Sequence, residues 1–311
     1  MARELYFVLT PGFMLLDFAG PAEAFRIANQ FGAALHLHYC APHEATPSSL
    51  GLPLGGLAPL PDTLPDGAVI LIPGAAGSAD AYAQPEARTV IAWLRRVFDP
   101  ARHILATVCS AALLAAEAGW LAHRQCTTHH TLLARLAESA PSARVQDNRV
   151  YVQDGPVWSS AGITAGIDMA LQMVSQLAGP AIARDAARHM VVYFRRSPGD
   201  PQLSPWLAHR NHLHPAVHRA QDLIAAAPDE SWPVQRLAEA VHVSARHLSR
   251  LFREQAGVSV HDYQTALRLA LAMQWRHAGF SKEKAALAAG FSSARQFNRA
   301  AAAPALCDSV K

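Results

Sequence analysis

Cysteine is scarce in this chain: Cys40, Cys109, Cys126 and Cys307 are the four in 311 residues. They are scattered and form no metal-ligand spacing, so a cysteine-built metal site is excluded and the thiols are expected to be reduced. Charge is also sparse, 16% of residues against 51% hydrophobic, which excludes a disordered chain. A secretion signal is lacking, because Met1-Ala2-Arg3-Glu4 runs straight into Leu5–Leu9 with no cleavage pattern. A cytoplasmic protein is the expectation. Membrane-spanning runs are missing as well. Ile104–Ala122 is long and apolar, but it is Ala-rich, carries Glu117 and holds a strand-to-helix switch.

What is present suggests two domains, since roughly 150 residues make one. The net charge of +3 is uneven. Pro215–Lys311 carries 12 basic and 8 acidic residues, net +4, whereas residues 1–214 come to −1. Excess positive charge at one end suits phosphate contact. In the first part, Leu5–Leu9, Leu35–Cys40, Val69–Ile72 and His103–Val108 read as buried strands. Ala19–Phe31 and Pro85–Phe98 have helical periodicity, and Thr128–Ala140, Gly166–Leu177 and Pro180–Phe194 read as further helices. Tyr151–Gln153 and Val157–Ser160 flank Asp154-Gly155-Pro156 as a late strand pair. The expectation is an α/β, flavodoxin-like, mostly parallel sheet with helices on both faces over residues 1–196, followed by an all-α domain over residues 215–311.

Between them, 197–214 reads as a linker, broken by Pro198, Gly199, Pro201 and Pro205. His209, His212, His214 and His218 raise a metal site, but Pro215 interrupts the helical pair His214/His218 and no Cys or acid completes the set. The reading is a solvated linker, with no metal and no cofactor.

In the last domain Val234–Val241 is an amphipathic helix, His242-Val243 make a turn, and Ser244 is placed to cap the next helix. There Leu248, Leu251 and Phe252 face inward, while Arg246, Ser249, Arg250 and Arg253 share the outer face. An arginine-lined front on a short helix is suited to guanine edges and phosphates in a major groove. The pattern recurs: Glu283–Ala289 form a helix, Gly290 turns, and Ser293 caps a helix with Arg295, Asn298 and Arg299 outward and Phe297 inward. Between the units, Val260–His277 reads as one helix with Leu267, Leu271 and Met273 apolar. Its eighteen residues span about 27 Å. That length is close to the ~34 Å between major grooves on one DNA face.

Ser244 through Phe252, Gly257-Val258-Ser259, Arg268 and Gly290-Phe291-Ser292-Ser293 resemble the AraC-family DNA-binding domain over about Trp232 to Ala300. The resemblance implies base contacts from Arg246, Ser249, Arg250, Arg295, Asn298 and Arg299. It departs after Arg299, where Ala301 takes the place of a core phenylalanine and no final helix follows. The second unit is therefore expected to lose packing.

In the first domain the strand His103–Val108 runs into Cys109-Ser110-Ala111-Ala112, which opens a helix. A sharp strand-to-helix turn presents its cysteine beside a helix N-terminus, whose dipole lowers a thiol pKa. Asp17, after the first strand, and His129, after Cys126-Thr127-Thr128, are alternative partners. Backbone N–H groups of Gly74 and Ala75 with Ser110 are a candidate oxyanion hole. By physics alone, a lone cysteine after a buried strand is more often structural. Pro11-Gly12 with Leu15–Phe25, Ile72-Pro73-Gly74, Val108-Cys109-Ser110, Thr127-Thr128-His129 and Ser160–Asp168 resemble the PfpI, or class I glutamine amidotransferase-like, superfamily over about Leu5 to Arg196.

With the AraC-type end, the layout resembles the GlxA-type regulators. That resemblance implies a homodimer that binds DNA and senses a small-molecule effector near Cys109, in a pocket including Gly74, Ala75, Ser110 and Ser160. Enzymatic relatives such as isonitrile hydratases use a cysteine and an acid matching Cys109 and Asp17. They imply the rival reading of a hydratase or hydrolase with a vestigial DNA-binding tail. Ala75, Ala111 and His130 depart from that superfamily's usual glycine, glycine and tryptophan.

Overall fold

The computed structural model describes residues 2–77, 82–192, 195–198, 202, 209–210, 212–277 and 279–302. Phe194, Cys307 and much of the expected linker (199–201, 203–208 and 211) lie outside the described residues, as does the tail from 303. The chain divides into two compact units, Met1–Gln202 and Leu203–Lys311.

The first unit is built on runs whose side chains alternate between two apolar layers. In β5 (Val69–Ile72) every residue is buried, Ile70 and Ile72 into one layer and Val69 and Leu71 into the other. That is the signature of a strand covered on both faces. With β1 (Arg3–Val8), β2 (Leu35–Cys40), β6 (Ile104–Val108), β9 (Tyr151–Asp154) and β10 (Val157–Ser160) it forms a six-stranded sheet of order β2-β1-β5-β6-β10-β9. All pairings are parallel except β9 with β10. Helices α1 (Leu15–Gln30), α5 (Thr164–Ala178) and α6 (Pro180–His189) cover one face, and α2 (Pro85–Val97), α3 (Ala111–Glu117) and α4 (Leu133–Ser139) the other. Two small ladders decorate it, β3 (Ala45–Pro47) against β4 (Pro53–Gly55) and β7 (Gln125–Cys126) beside β8 (Arg144–Val145).

Helix α1 starts at Leu15, ahead of the expected Ala19, and carries Pro21 inside it. Asp17 therefore sits in its first turn. Local reading places a proline at a helix start. Here the close approach of Gly20 to Ile167 of α5 carries the helix through it. The expected helix from Thr128 is shorter: a 3₁₀ turn over His130–Leu132 precedes α4, leaving Thr127 and Thr128 outside any helix and buried.

The second unit is helical: α7 (Pro215–Ala226), α8 (Val234–Ala240), α9 (Ala245–Ala256), α10 (Val260–His277), α11 (Lys282–Ala288) and α12 (Ala294–Ala301). It has two cores. One gathers Val217, Leu237, Leu248, Phe252 and Tyr263; the smaller gathers Leu269, Ala272, Ala286, Phe291 and Phe297. Met273, read as part of the apolar stripe of α10, is exposed.

The histidines of the expected linker are structural. His209 Nδ1 pairs with the Ala256 carbonyl at 2.9 Å, His212 Nε2 with Gln221 Oε1 at 3.1 Å, and His218 Nε2 with the His212 carbonyl. Of the expected linker, His209 and His212 are thus half-buried and paired rather than solvated, through Gln221 of α7 and the Ala256 carbonyl of α9, partners that a sequence pattern does not display. No group of three metal-holding side chains occurs among the described residues. Nor is any helix there long and apolar enough to cross a membrane.

Candidate functional site

Strand β6 ends at Val108 and the chain reverses at Cys109, whose φ of 56° is left-handed. A side chain in that region costs of order 1–3 kcal/mol, so the surroundings must over-determine it. They do. Cys109 N–H donates to the Ser160 carbonyl at 3.0 Å, and Thr128 Oγ1 donates to the Cys109 carbonyl at 2.8 Å. Gly162, at φ 103°, lies so close that a Cβ there would stand 2.7 Å from Cys109 Sγ. Only glycine fits this seat. Gly74 closes the other side, where a Cβ would stand 2.8 Å from Asp17 Oδ2 and 2.9 Å from Ser110 Oγ.

Asp17 is fully buried, and its Oδ1 accepts the Ile163 N–H at 2.6 Å. Its Oδ2 has no partner of good hydrogen-bond geometry. The Gly74 N–H and the Cys109 thiol are the other groups that act on the carboxyl, and both favour its charge. Burial outweighs them and the carboxyl pKa is raised. The thiol responds in kind: burial first, then the Asp17 charge, push it up to about 12, with the Ser110 N–H opposing. The expected lowering of this thiol pKa is therefore corrected. One backbone N–H at the start of a seven-residue helix is a weaker influence than desolvation plus a facing carboxylate.

Asp17, not His129, is the partner the fold brings to Cys109. His129 turns its Nδ1 to Thr131 Oγ1 at 2.8 Å, and its ring lies tilted against that of His130 with centroids 4.3 Å apart. Burial and His130 lower its pKa. From this segment it is the Thr128 hydroxyl that meets the elbow.

The expected oxyanion hole is also corrected. Ala75 N–H donates to Ser110 Oγ at 2.9 Å, Ser110 Oγ donates to the Ala75 carbonyl at 3.0 Å, and Tyr82 Oη joins Ser110 Oγ at 3.0 Å. These donors are consumed in a closed buried network. Ser160 is fully buried beside Cys109, and its hydroxyl has no hydrogen-bond partner among the described residues. Tyr82, Gly162 and Ile163 join the site beyond the residues that the sequence pattern points to. Gly162 and Ile163 lay within the Ser160–Asp168 motif; Tyr82 gave no sequence signal.

In the second unit Ser244 Oγ accepts the His247 N–H at 3.2 Å and Gly257, at φ 73°, ends α9. Leu248, Leu251 and Phe252 are buried, and Arg246, Ser249, Arg250 and Arg253 are exposed. Arg250 is held along the helix by Glu254 at 3.0 Å, and Ser249 Oγ donates to the Ala245 carbonyl. Helix α12 repeats the arrangement: Ser293 Oγ accepts the Gln296 N–H, and Arg295, Asn298 and Arg299 are exposed. Phe297 is buried against Phe291, with ring centroids 5.6 Å apart. Ala301 is exposed, and the inner contact of Phe297 with Phe291 is present beside it.

Two family models match the chain, that of the DJ-1/PfpI family over residues 3–176 and that of a helix-turn-helix domain over residues 237–303. The HTH-type transcriptional regulator CdhR of Pseudomonas aeruginosa is 28% identical across 96% of this chain and 88% of its own length. The regulator GlxA of Rhizobium meliloti is 29% identical over 62% of this chain and 60% of its own. An isonitrile hydratase of Pseudomonas putida is 31% identical over 65% and 82% respectively. Among solved structures, a ThiJ/PfpI family protein from Pseudomonas syringae superposes with a TM-score of 0.52 at 23% identity, covering 78% of this chain and 90% of that one, which speaks for the fold.

Proposed function

The chain belongs to the DJ-1/PfpI family and carries an AraC-type helix-turn-helix domain behind that fold, and from this premise we propose that it is a transcription regulator that binds DNA through α9 and α12 and is governed by a small-molecule effector sensed near Cys109. The observation that carries the reading is α9: a capped helix with an apolar back and four exposed polar residues in front, three of them arginines. The regulator CdhR, similar across both units, supports the same layout. A second subunit belongs to the proposal as well, because paired readers on DNA are commonly arranged by two-fold symmetry.

The test is binding of the purified chain to duplexes from its own upstream region at physiological salt. Specific sites are typically bound about 10³–10⁷ times tighter than non-specific DNA. Equal affinity for unrelated duplexes would sink the regulator reading. The effector is sought by thermal shift with amines, amides and nitrogen metabolites, since a ligand of the native state raises its stability.

The hydratase reading draws on the Asp17 carboxyl facing Cys109 beside Gly74 and on the similarity to an isonitrile hydratase. It needs a thiol that ionises or is deprotonated on attack. The pair as it stands keeps the proton, which favours a binding pocket over a nucleophile.

A further inference from the structure

Arg268, halfway along α10, points its guanidinium at three consecutive backbone carbonyls. Nε donates to the Pro228 carbonyl at 2.7 Å, and Nη2 donates to those of Glu230 at 2.8 Å and Asp229 at 3.2 Å. Gln264, one turn earlier, adds Nε2 bonds to the Glu230 carbonyl at 2.5 Å and to that of Pro228 at 3.3 Å. The short loop 228–230 is thus clamped to α10 by side chains, and the planar fork of arginine is the group that serves several carbonyls at once.

This loop touches both helix pairs. It leads into α8 through Trp232, whose Nε1 donates to the Ala227 carbonyl at 2.8 Å and whose ring lies 4.1 Å beneath the Arg236 guanidinium. Arg236 returns to Glu230 Oε2 at 3.1 Å, so the start of the first pair is tied to the loop. The opposite side of the loop meets the second pair. Gly290, the turn between α11 and α12 at φ 84°, is so close that a Cβ there would stand 2.7 Å from Asp229 Cα and 2.8 Å from its carbonyl carbon. Asp229 is therefore wedged between the connecting helix and the turn that aims α12.

We propose that Arg268 is a positioning residue for DNA binding: by locking loop 228–230 between α10 and Gly290, it fixes the distance and rotation of α12 relative to α9. This rests on the DNA-binding reading above. It ties the second pair to the first through this loop. Rigid joining makes binding sensitive to the spacing of the two DNA segments, because one base pair rotates the second segment by about 34° and moves it by about 3.4 Å.

The experiment uses the full chain and a duplex selected by it from a random library, with derivatives lengthened or shortened by one base pair between the two footprinted segments. The wild type is expected to lose affinity by about tenfold or more on either spacing change, comparable with one or more mismatched positions. In Arg268→Gln and in Gly290→Ala, the footprint beneath α12 fades while that beneath α9 persists, and the spacing dependence flattens. Arg268→Lys, which keeps the charge without the fork, is expected to behave like Arg268→Gln. Helical melting curves accompany each variant. Should Arg268→Gln fail to fold, Gly290→Ala perturbs the same contact from the other side and decides. Equal weakening of both footprints with spacing dependence retained, or wild-type behaviour of the folded variants, overturns the assignment while leaving DNA binding intact. A wild-type chain that selects no duplex removes the DNA-binding reading itself, and this inference with it.

Discussion

Alkylation of Cys109 by iodoacetamide at pH 8 tests the chemistry of the elbow directly. With the thiol pushed up to about 12, its thiolate fraction at that pH is on the order of 10⁻⁴, against about 10⁻¹ for a thiol at 9.0. A more basic thiolate is intrinsically more nucleophilic, and a Brønsted slope of about 0.4–0.5 returns roughly 20-fold over three units. The net expectation is labelling about 50-fold slower than a free thiol, before steric shielding by Gly162 and Gly74 is counted. The assay is a time course of carbamidomethylation followed by peptide mass spectrometry on the native full chain. Cys126, pushed up to about 11 by burial, is the internal reference and should label at a comparably slow rate. Asp17→Asn removes the facing charge, so Cys109 labelling should accelerate in that variant while Cys126 stays unchanged. Fast native labelling of Cys109 would refute the protonated pair and restore the nucleophile. An unchanged rate in Asp17→Asn would show that the Asp17 charge does not help to keep the thiol protonated.

The same pair sets a pH dependence of stability. The Asp17 pKa is raised on folding, so its contribution is fully present below the unfolded carboxylate pKa and is lost as pH rises through the folded value. Asn at position 17 keeps an acceptor for the Ile163 N–H without the buried charge, so Asp17→Asn should melt above wild type at pH 8. Differential scanning fluorimetry should show that gap closing toward pH 4; a gap constant with pH would count against the linkage. Gly162→Ala combines a disfavoured backbone with a clash on Cys109 Sγ and should lose about 2–5 kcal/mol in urea unfolding of the full chain. Arg250→Ala should weaken the selected duplex by about 1–3 kcal/mol if it reads a base, with little change in salt slope, whereas a phosphate contact lowers the slope by about one. Replacing the α9 cap by Ser244→Ala should cost about 0.5–2 kcal/mol, read by thermal melting.

Much of the proposed DNA-facing surface was legible because it rests on local rules. Ser244 and Ser293 cap their helices as their spacing predicts, and the outward set from Arg246 to Arg253 follows from a 3.6-residue period around Leu248, Leu251 and Phe252. The buried strands were legible for a similar reason, since runs such as Val69–Ile72 have no polar face to expose. The pocket was less so. Helix α1 passes through Pro21 because its packing on α5 overrides a local preference, and this moves Asp17 from a loop into a first turn. The Ala75 and Ser110 groups meet, yet Tyr82 satisfies them from a segment whose sequence carries no such message.

Sequence by itself determined the two-domain plan, the sheet, the paired helices and the cysteine at a strand-to-helix turn, because periodicity, capping and turn chemistry act within a few residues. Tertiary structure alone decided what that cysteine is. Asp17, Gly74, Cys109 and Ile163 meet from four separate elements, and only their convergence in a dry site makes desolvation outweigh the helix N-terminus and keep the thiol protonated. It likewise decided that Thr128 and not His129 closes on the elbow, and that Arg268 spends its charge on the carbonyls of a distant loop. These are long-range coincidences of position, which no short-range pattern encodes.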